Sequence, residues 1–292
     1  MLNNTFFSTA IFLSACVFAP LTNISASPRQ SAADSIPATQ CAVAVMAAPA
    51  EKTIGKPAGT DKTANLPGAT LEIASVQADR ISHVALDSLL QQYVSENGQV
   101  NYKGLKADKK SLDAYCQSLS DQPVQDNWSR EEQMAYWINA YNAFTLKLIV
   151  DNYPTKSILN FDGGKTWDVK RIKIGDKKYS LNNIENDILR PQFKDARIHF
   201  ALNCAAKSCP PLWNRAYTAE NLETSLEARA KAFINNPDFN SISAGKAVVS
   251  KIFDWYAADF GDLKKYLNRY ARTPLKGSAA VTFEEYNWEL NQ

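Results

Sequence analysis

The chain of 292 residues carries 32 Lys and Arg against 30 Asp and Glu, a formal net charge of +2. This length suits one large domain or two small ones. Residues 80–292 hold 28 basic and 25 acidic side chains. Such a small surplus argues against a protein that binds nucleic acid or another polyanion.

The first 26 residues are predicted to be a secretory signal peptide. Residues 5–21 form an apolar run that is too short to span a membrane comfortably. Leu13-Ser14-Ala15-Cys16 resembles a lipobox, in which the cysteine would be lipidated, whereas Ile24-Ser25-Ala26 offers an ordinary cleavage site. The sequence does not decide between lipidation at Cys16 and ordinary cleavage after Ala26. Both predict an extracytoplasmic protein of the periplasm or cell envelope, which would contact a membrane only through a lipid anchor at Cys16.

Residues 27–79 are predicted to be a disordered tether, and residues 80–292 a globular domain. In residues 27–70, 27 of 44 side chains are Ala, Pro, Ser, Thr or Gly, and none is aromatic. Such a segment cannot bury enough apolar surface to offset the entropy of ordering it.

The segment that follows Ser129 is predicted to be the core helix of this domain. Ser129-Arg130-Glu131-Glu132 has the pattern of a capping box, and Pro154 forbids the helix from continuing beyond about Tyr153. Because the helix is apolar nearly all round, it should be buried. Its two asparagines, Asn139 and Asn142, should each hydrogen-bond a neighbouring loop or strand. They would either pin the structure or orient a catalytic histidine.

The remaining patterns predict helices mixed with a few short strands and no βαβ alternation, which is an α+β fold. We expect a single domain of several helices around the core helix, with a small, mostly antiparallel sheet. The predicted helices are 84–93, 111–119, 181–189 with Glu185, the helix opened by Thr218, and the helix after Gly261. The predicted strands are 198–202, 248–249, and 167–174 with 177–180, which the turn Gly175-Asp176 joins as a hairpin; residues 281–288 are predicted to be a strand or an extended tail.

The run Arg197–Leu212 concentrates the reactive residue types of the chain. It contains one of only two histidines, two of five cysteines and the pair Pro210-Pro211. Alternating polarity over Ile198–Leu202 predicts a buried strand that carries His199 into a loop closed by the prolines.

Several motifs resemble one known family, domain-of-unknown-function family 547. They are Tyr136–Ala143, Ser180–Glu185, His199–Pro210, Ser250–Phe260 and Tyr286–Asn291, and the resemblance spans about Ser88 to Asn291. The resemblance implies a single domain with no established activity. Members often carry a histidine directly after the glutamate of the short helix, whereas this chain has Asn186.

One hypothesis is an exported thiol enzyme that acts on an amide or ester. Cys209 would be the nucleophile and His199 its base, because a cysteine attacks only as a thiolate. Asn142, Asn139 or Glu185 would hold the imidazole in one tautomer. Cys204 would point away from His199 on a continuing strand, so it is the weaker nucleophile.

The alternative is a non-catalytic binding or scaffolding module in which Cys204 and Cys209 form a disulfide. A zinc site formed by His199, Cys204, Cys209 and Glu185 is the weakest hypothesis, because the spacing of these residues matches no standard zinc finger. The sequence predicts no metal and no other cofactor. The expected partner is an unknown envelope substrate or protein.

Overall fold

The structure is a computed structural model, and it describes residues 80–292. The predictions for the signal peptide, for Cys16 and for the tether at 27–79 therefore fall outside the described residues. The α-helices of the described part are α1 (Val84–Tyr93), α2 (Tyr102–Ala107), α3 (Lys109–Asp121), α4 (Arg130–Asp151), α5 (Leu222–Ile234), α6 (Ile252–Trp255), α7 (Ala257–Phe260) and α8 (Leu263–Tyr270).

A π-helix and several 3₁₀ helices occupy the middle of the chain. The π-helix spans Asn183–Phe193, and the 3₁₀ helices are Ile158–Asn160, Asp162–Gly164, Thr166–Asp168 and Ala196–Phe200. The strands are β1 (Ile172–Ile174), β2 (Lys177–Tyr179), β3 (Ser241–Ile242), β4 (Lys246–Val249) and β5 (Ala280–Phe283).

The predicted core helix is confirmed as α4. The Ser129 hydroxyl accepts a hydrogen bond from the backbone N–H of Glu132, whose carboxylate accepts one from the backbone N–H of Ser129. Fifteen of the 22 residues of α4 are buried, including Asn139 and Asn142. Apolar burial on all sides makes α4 the element against which the surrounding helices pack.

Two small sheets complete the α+β fold, as predicted. Strands β1 and β2 form an antiparallel hairpin around Gly175-Asp176, and Gly175 has a positive φ of 56°, as the first residue of a two-residue turn requires. The second sheet has the order β3-β4-β5, with β3 antiparallel and β5 parallel to β4.

Buried side chains form two apolar clusters that meet at the 3₁₀ helix Ala196–Phe200. The first cluster joins helices α1–α4, the hairpin and the π-helix, and it includes Ile198. The second cluster is rich in aromatic rings from helices α5–α8, and it includes Phe200. His199 therefore lies at the junction of the two clusters.

Several predicted elements are corrected. The predicted strand 167–174 is shorter, because residues 166–168 form a 3₁₀ helix and β1 begins at Ile172, and β5 ends at Phe283, so residues 284–288 are not strand. The predicted strand Ile198–Leu202 is wrong, because the chain forms the 3₁₀ helix Ala196–Phe200 there, capped by the carboxylate of Asp195. Ile198, His199 and Phe200 are all buried, since they face two clusters rather than the alternate faces of a sheet. The predicted helix 181–189 is instead largely π-helical and continues to Phe193.

Among residues 80–292, no helix combines the length and apolar character needed to cross a membrane.

Candidate functional site

The ring of His199 lies in a buried cluster of charged and aromatic groups. Its Nε2 atom lies 2.7 Å from Oδ2 of Asp259, on helix α7. The ring stacks on Tyr256, with 3.8 Å between ring centroids, and contacts the ring of Phe260. Because 96% of the residue is buried, water reaches this imidazole poorly.

The π-helix supplies the other charged members of the cluster. Glu185 accepts a hydrogen bond from the hydroxyl of Tyr256, and Arg190 places its guanidinium 5.2 Å from the centroid of the same ring. Residues five apart share one face of a π-helix, because its hydrogen bonds join residues i and i+5. The unusual helix therefore directs both side chains of this pair toward Tyr256.

Arg190 holds Asp259 in a bidentate pair. Its Nε and Nη2 atoms donate to the two carboxylate oxygens at 2.6 and 2.9 Å, and Asn186 accepts a third hydrogen bond from the same guanidinium. Asn186, directly after Glu185 in the chain, therefore helps to position Arg190.

The electrostatics of the cluster fix the protonation of His199. Burial lowers the pKa of His199, and this effect outweighs the hydrogen bond to Asp259 and the negative charge of Glu185, which both raise it. Burial alone would raise the pKa of Asp259, but hydrogen bonds from His199 and Arg190 hold that pKa well below its usual value. At neutral pH a neutral His199 therefore donates its Nε2–H to the carboxylate.

The asparagines of α4 pin two loops, as predicted. Asn142 donates to the carbonyl of Ala201 and accepts from the backbone N–H of Asn203, both at 2.9 Å. Asn139 makes the same pair of bonds to the backbone of Tyr217, at 2.7 and 3.0 Å. The contacts of Asn142 are with the backbone of the cysteine loop and not with the ring of His199.

Cys204 and Cys209 form a disulfide bond, with their sulfurs 2.09 Å apart. The hydroxyl of Tyr286 lies 3.1 Å from each sulfur, and the backbone N–H of Cys204 also donates to the sulfur of Cys209. Asn203 braces the loop, because its carboxamide accepts from the N–H of Ala205 and donates to the carbonyl of Pro210.

Ala205 within this loop has a left-handed backbone, with a φ of 62°. The left-handed conformation costs an alanine roughly 1–2 kcal/mol relative to an ordinary backbone conformation. Two hydrogen bonds hold the distorted segment in place: the one from Ala205 to Asn203, and one from the N–H of Asn291 to the carbonyl of Ala205.

Two consecutive residues, Trp255 at the end of helix α6 and Tyr256 just after it, link the disulfide to the His199 cluster. The ring of Trp255 packs on Tyr286, which touches both sulfurs, with 4.7 Å between ring centroids. The next residue, Tyr256, stacks on His199. Among the described residues, however, no contact joins the ring of His199 to either sulfur. The imidazole of His199 and the sulfur of Cys209, which the enzyme hypothesis pairs as base and nucleophile, therefore lie in two separate clusters.

A cavity of about 530 Å³ borders the disulfide corner. Cys209, Asn203 and Arg229 line it on one side. The guanidinium of Arg229 donates to the carbonyl of Pro211, and its buried Nε has no hydrogen-bond partner among the described residues. Carboxamide groups supply most of the remaining polar lining, from Asn97, Gln99, Asn236, Asn287, Asn291 and Gln292.

The sequence-based prediction missed three members of the His199 cluster. Arg190, Tyr256 and Asp259 were not assigned to the site. The signal for Asp259 was an acid within an otherwise apolar and aromatic run, because a carboxylate in such a run requires a partner. Within residues 80–292, no group of three or more His, Cys, Asp or Glu is arranged to hold a metal ion, so the zinc set considered from the sequence does not assemble.

Comparison with known proteins identifies the central part of this chain. Residues 125–234 match the model of a family described as "Protein of unknown function, DUF547". The match covers 110 of the 292 residues, and over that segment the chain is similar to DUF547. No curated protein and no solved structure matches the chain.

The DUF547 match contains most of the site but not all of it. It includes both asparagines of α4, Glu185, His199 and the two cysteines of the loop. Tyr256, Asp259 and Tyr286 follow the matched segment. In this chain, residues beyond the DUF547 match therefore complete the contacts of both His199 and the disulfide.

Proposed function

We propose that this chain is an exported cell-envelope protein whose folded part is a non-catalytic binding module. The observation that carries the proposal is the pairing of Cys204 with Cys209 at the border of a 530 Å³ cavity. The Nε2 atom of His199 is hydrogen-bonded to Asp259, and the imidazole packs against the rings of Tyr256 and Phe260. This arrangement favours a rigid recognition surface over the Cys–His hydrolase that the sequence also suggested.

The lining of the cavity suits a ligand rich in hydroxyl and amide groups. A carboxamide offers two donors and an acceptor, so a free one can match such groups in either direction. The carboxamide of Asn291 already bonds Tyr102 and Gly98, whereas Gln99 is exposed at the cavity. Lys207 and the partly buried Arg229 add two cations to the lining, and Glu96 and Asp238 add two carboxylates.

Export is proposed from the sequence. The apolar run at residues 5–21 has the length of a signal-peptide core, and a disulfide persists in an oxidising compartment. The N-terminus would be either lipidated at Cys16 or cleaved before Ser27, and residues 27–79 would tether the module to the envelope.

A blocking substitution at the cavity mouth tests the binding function. Gln99 is exposed and lines the cavity, so Gln99→Trp should fill the space without removing a core contact. Gln125→Trp adds the same bulk at an exposed position outside the cavity lining. The probe is a mixture of soluble cell-wall glycopeptides, and binding is read by NMR shift changes and calorimetry. We expect binding that Gln99→Trp abolishes and Gln125→Trp leaves intact. Equal binding by both variants would contradict the cavity as the ligand site.

A second assay separates the module from a thiol hydrolase. Hydrolysis of p-nitrophenyl acetate is followed before and after reduction of the protein, with Cys209→Ala as the comparison. The binding proposal predicts at most one equivalent of p-nitrophenol released per reduced thiol, and no turnover above background in any sample. Multiple turnovers that appear on reduction and disappear in Cys209→Ala would instead support the hydrolase.

A further inference from the structure

The two sulfurs of the disulfide differ in accessibility. Cys204 is partly exposed, whereas Cys209 keeps only 4% of its surface exposed although it borders the cavity. A thiol that approaches from solvent therefore meets the sulfur of Cys204 more readily. Attack on one sulfur of a disulfide expels the other sulfur as the leaving group.

The surroundings of Cys209 stabilise a negative charge on its sulfur. This atom accepts the backbone N–H of Cys204 at 2.9 Å and the hydroxyl of Tyr286 at 3.1 Å. Within residues 80–292, the sulfur of Cys204 has a single such neighbour, the hydroxyl of Tyr286. Hydrogen bonds to a charged form favour that form, so Cys209 is the better thiolate of the two.

The donors are held in place by contacts that do not depend on the disulfide bond. The ring of Tyr286 packs between Trp255 and Trp288, with ring centroids 4.7 and 4.5 Å away. The backbone N–H of Cys209 donates to the carbonyl of Ala206, and the side chain of Asn203 ties the two ends of the loop together. The loop should therefore keep its shape when the two sulfurs separate.

We infer that the Cys204–Cys209 disulfide exchanges with thiols of partner proteins, with Cys204 as the sulfur attacked and Cys209 as the stabilised leaving group. This activity is separate from ligand binding in the cavity, and it does not use His199.

The exchange reaction balances when the partner protein supplies two thiols. One partner thiolate attacks the sulfur of Cys204, the bond between Cys204 and Cys209 breaks, and its electron pair remains on Cys209 as a thiolate. The second partner thiolate then attacks the partner sulfur of the mixed disulfide and releases Cys204. The partner is oxidised to a disulfide, and this protein gains two electrons and, at equilibrium, two protons.

Reduced glutathione is the probe that tests the site of attack. The full chain, with Cys16→Ser and Cys41→Ser to remove other reactive thiols, is mixed with glutathione, quenched with acid and mapped by mass spectrometry. Cys116 is the internal control for disulfide scrambling, because it is a free, buried thiol and reduced glutathione forms a mixed disulfide only by breaking an existing disulfide. We expect glutathione on Cys204 and none on Cys116. Glutathione mainly on Cys209 would overturn the inference.

Tyr286→Phe tests the stabilised leaving group while it keeps the aromatic packing. Loss of the hydroxyl should slow reduction by glutathione about threefold to tenfold, because a more basic thiolate leaves more slowly. In a Cys204→Ala background, the alkylation rate of Cys209 against pH reports the pKa of its thiol, and Tyr286→Phe should raise that pKa because it removes a donor to the thiolate. An unchanged reduction rate together with an unchanged pKa would overturn the role of Tyr286 and, with it, the proposed asymmetry.

Discussion

The contacts of Asn142 give the most direct structural prediction. Asn142→Ala removes both hydrogen bonds to the cysteine loop and leaves a buried carbonyl at Ala201 and a buried N–H at Asn203 without their partner. Each orphaned group costs about 1–3 kcal/mol, so the variant should lose about 2–6 kcal/mol of unfolding free energy. That is a large share of the roughly 5–15 kcal/mol typical of a natural domain.

Asn139→Ala is the matched control, because it removes the same pair of bonds from the backbone of Tyr217 and leaves the cysteine loop pinned. Urea denaturation should show comparable losses in the two variants. Under native conditions, dithiothreitol should reduce the disulfide faster in Asn142→Ala than in Asn139→Ala. A loss below about 0.5 kcal/mol, the usual effect of a surface substitution, or equal reduction rates would refute the role given to Asn142.

Three further outcomes follow from the same contacts. Ser129→Ala should lower the unfolding free energy by about 1 kcal/mol in urea, because it removes half of the capping box. Asp259→Ala should cost about 2–4 kcal/mol in the same assay, since it leaves Arg190 and His199 without their acceptor. The unfolding free energy should fall from pH 7 to pH 5, and His83→Gln should remove about 2 kcal/mol of that fall, because burial lowers the pKa of His83 from 6.5 to about 4 and the unfolded chain takes up this proton first. The rest of the fall should come from His199, whose pKa burial also lowers.

Local patterns predicted the elements whose shape depends on nearby residues. The capping box at Ser129, the turn at Gly175-Asp176 and the apolar stripe of α3 each involve side chains a few residues apart. Neighbouring residues largely decide these structures, so the sequence is sufficient to predict them. The disulfide differs from these elements, because it was one of three hypotheses kept open for the two cysteines and their spacing of five positions did not select it.

The partner of His199 depends on contacts that sequence spacing does not reveal. Asp259 is 60 residues from His199 and 69 residues from Arg190. The strand prediction for Ile198–Leu202 failed for a related reason: a short apolar run fits a strand or a buried 3₁₀ helix equally well. Burial between two clusters selected the helix, and tertiary packing decided that outcome.

The oxidation state of the loop tests the central claim that the sulfurs of Cys204 and Cys209 are paired with each other and are not held by His199. The protein is isolated from the cell envelope, alkylated without reductant and digested, and the peptides are mapped by mass spectrometry. We predict unmodified Cys204 and Cys209 in peptides two hydrogen atoms lighter than the dithiol, and alkylation of both only after reduction. Complete alkylation of both cysteines without reductant, in protein that retains its fold, would contradict the binding module and the exchange reaction together.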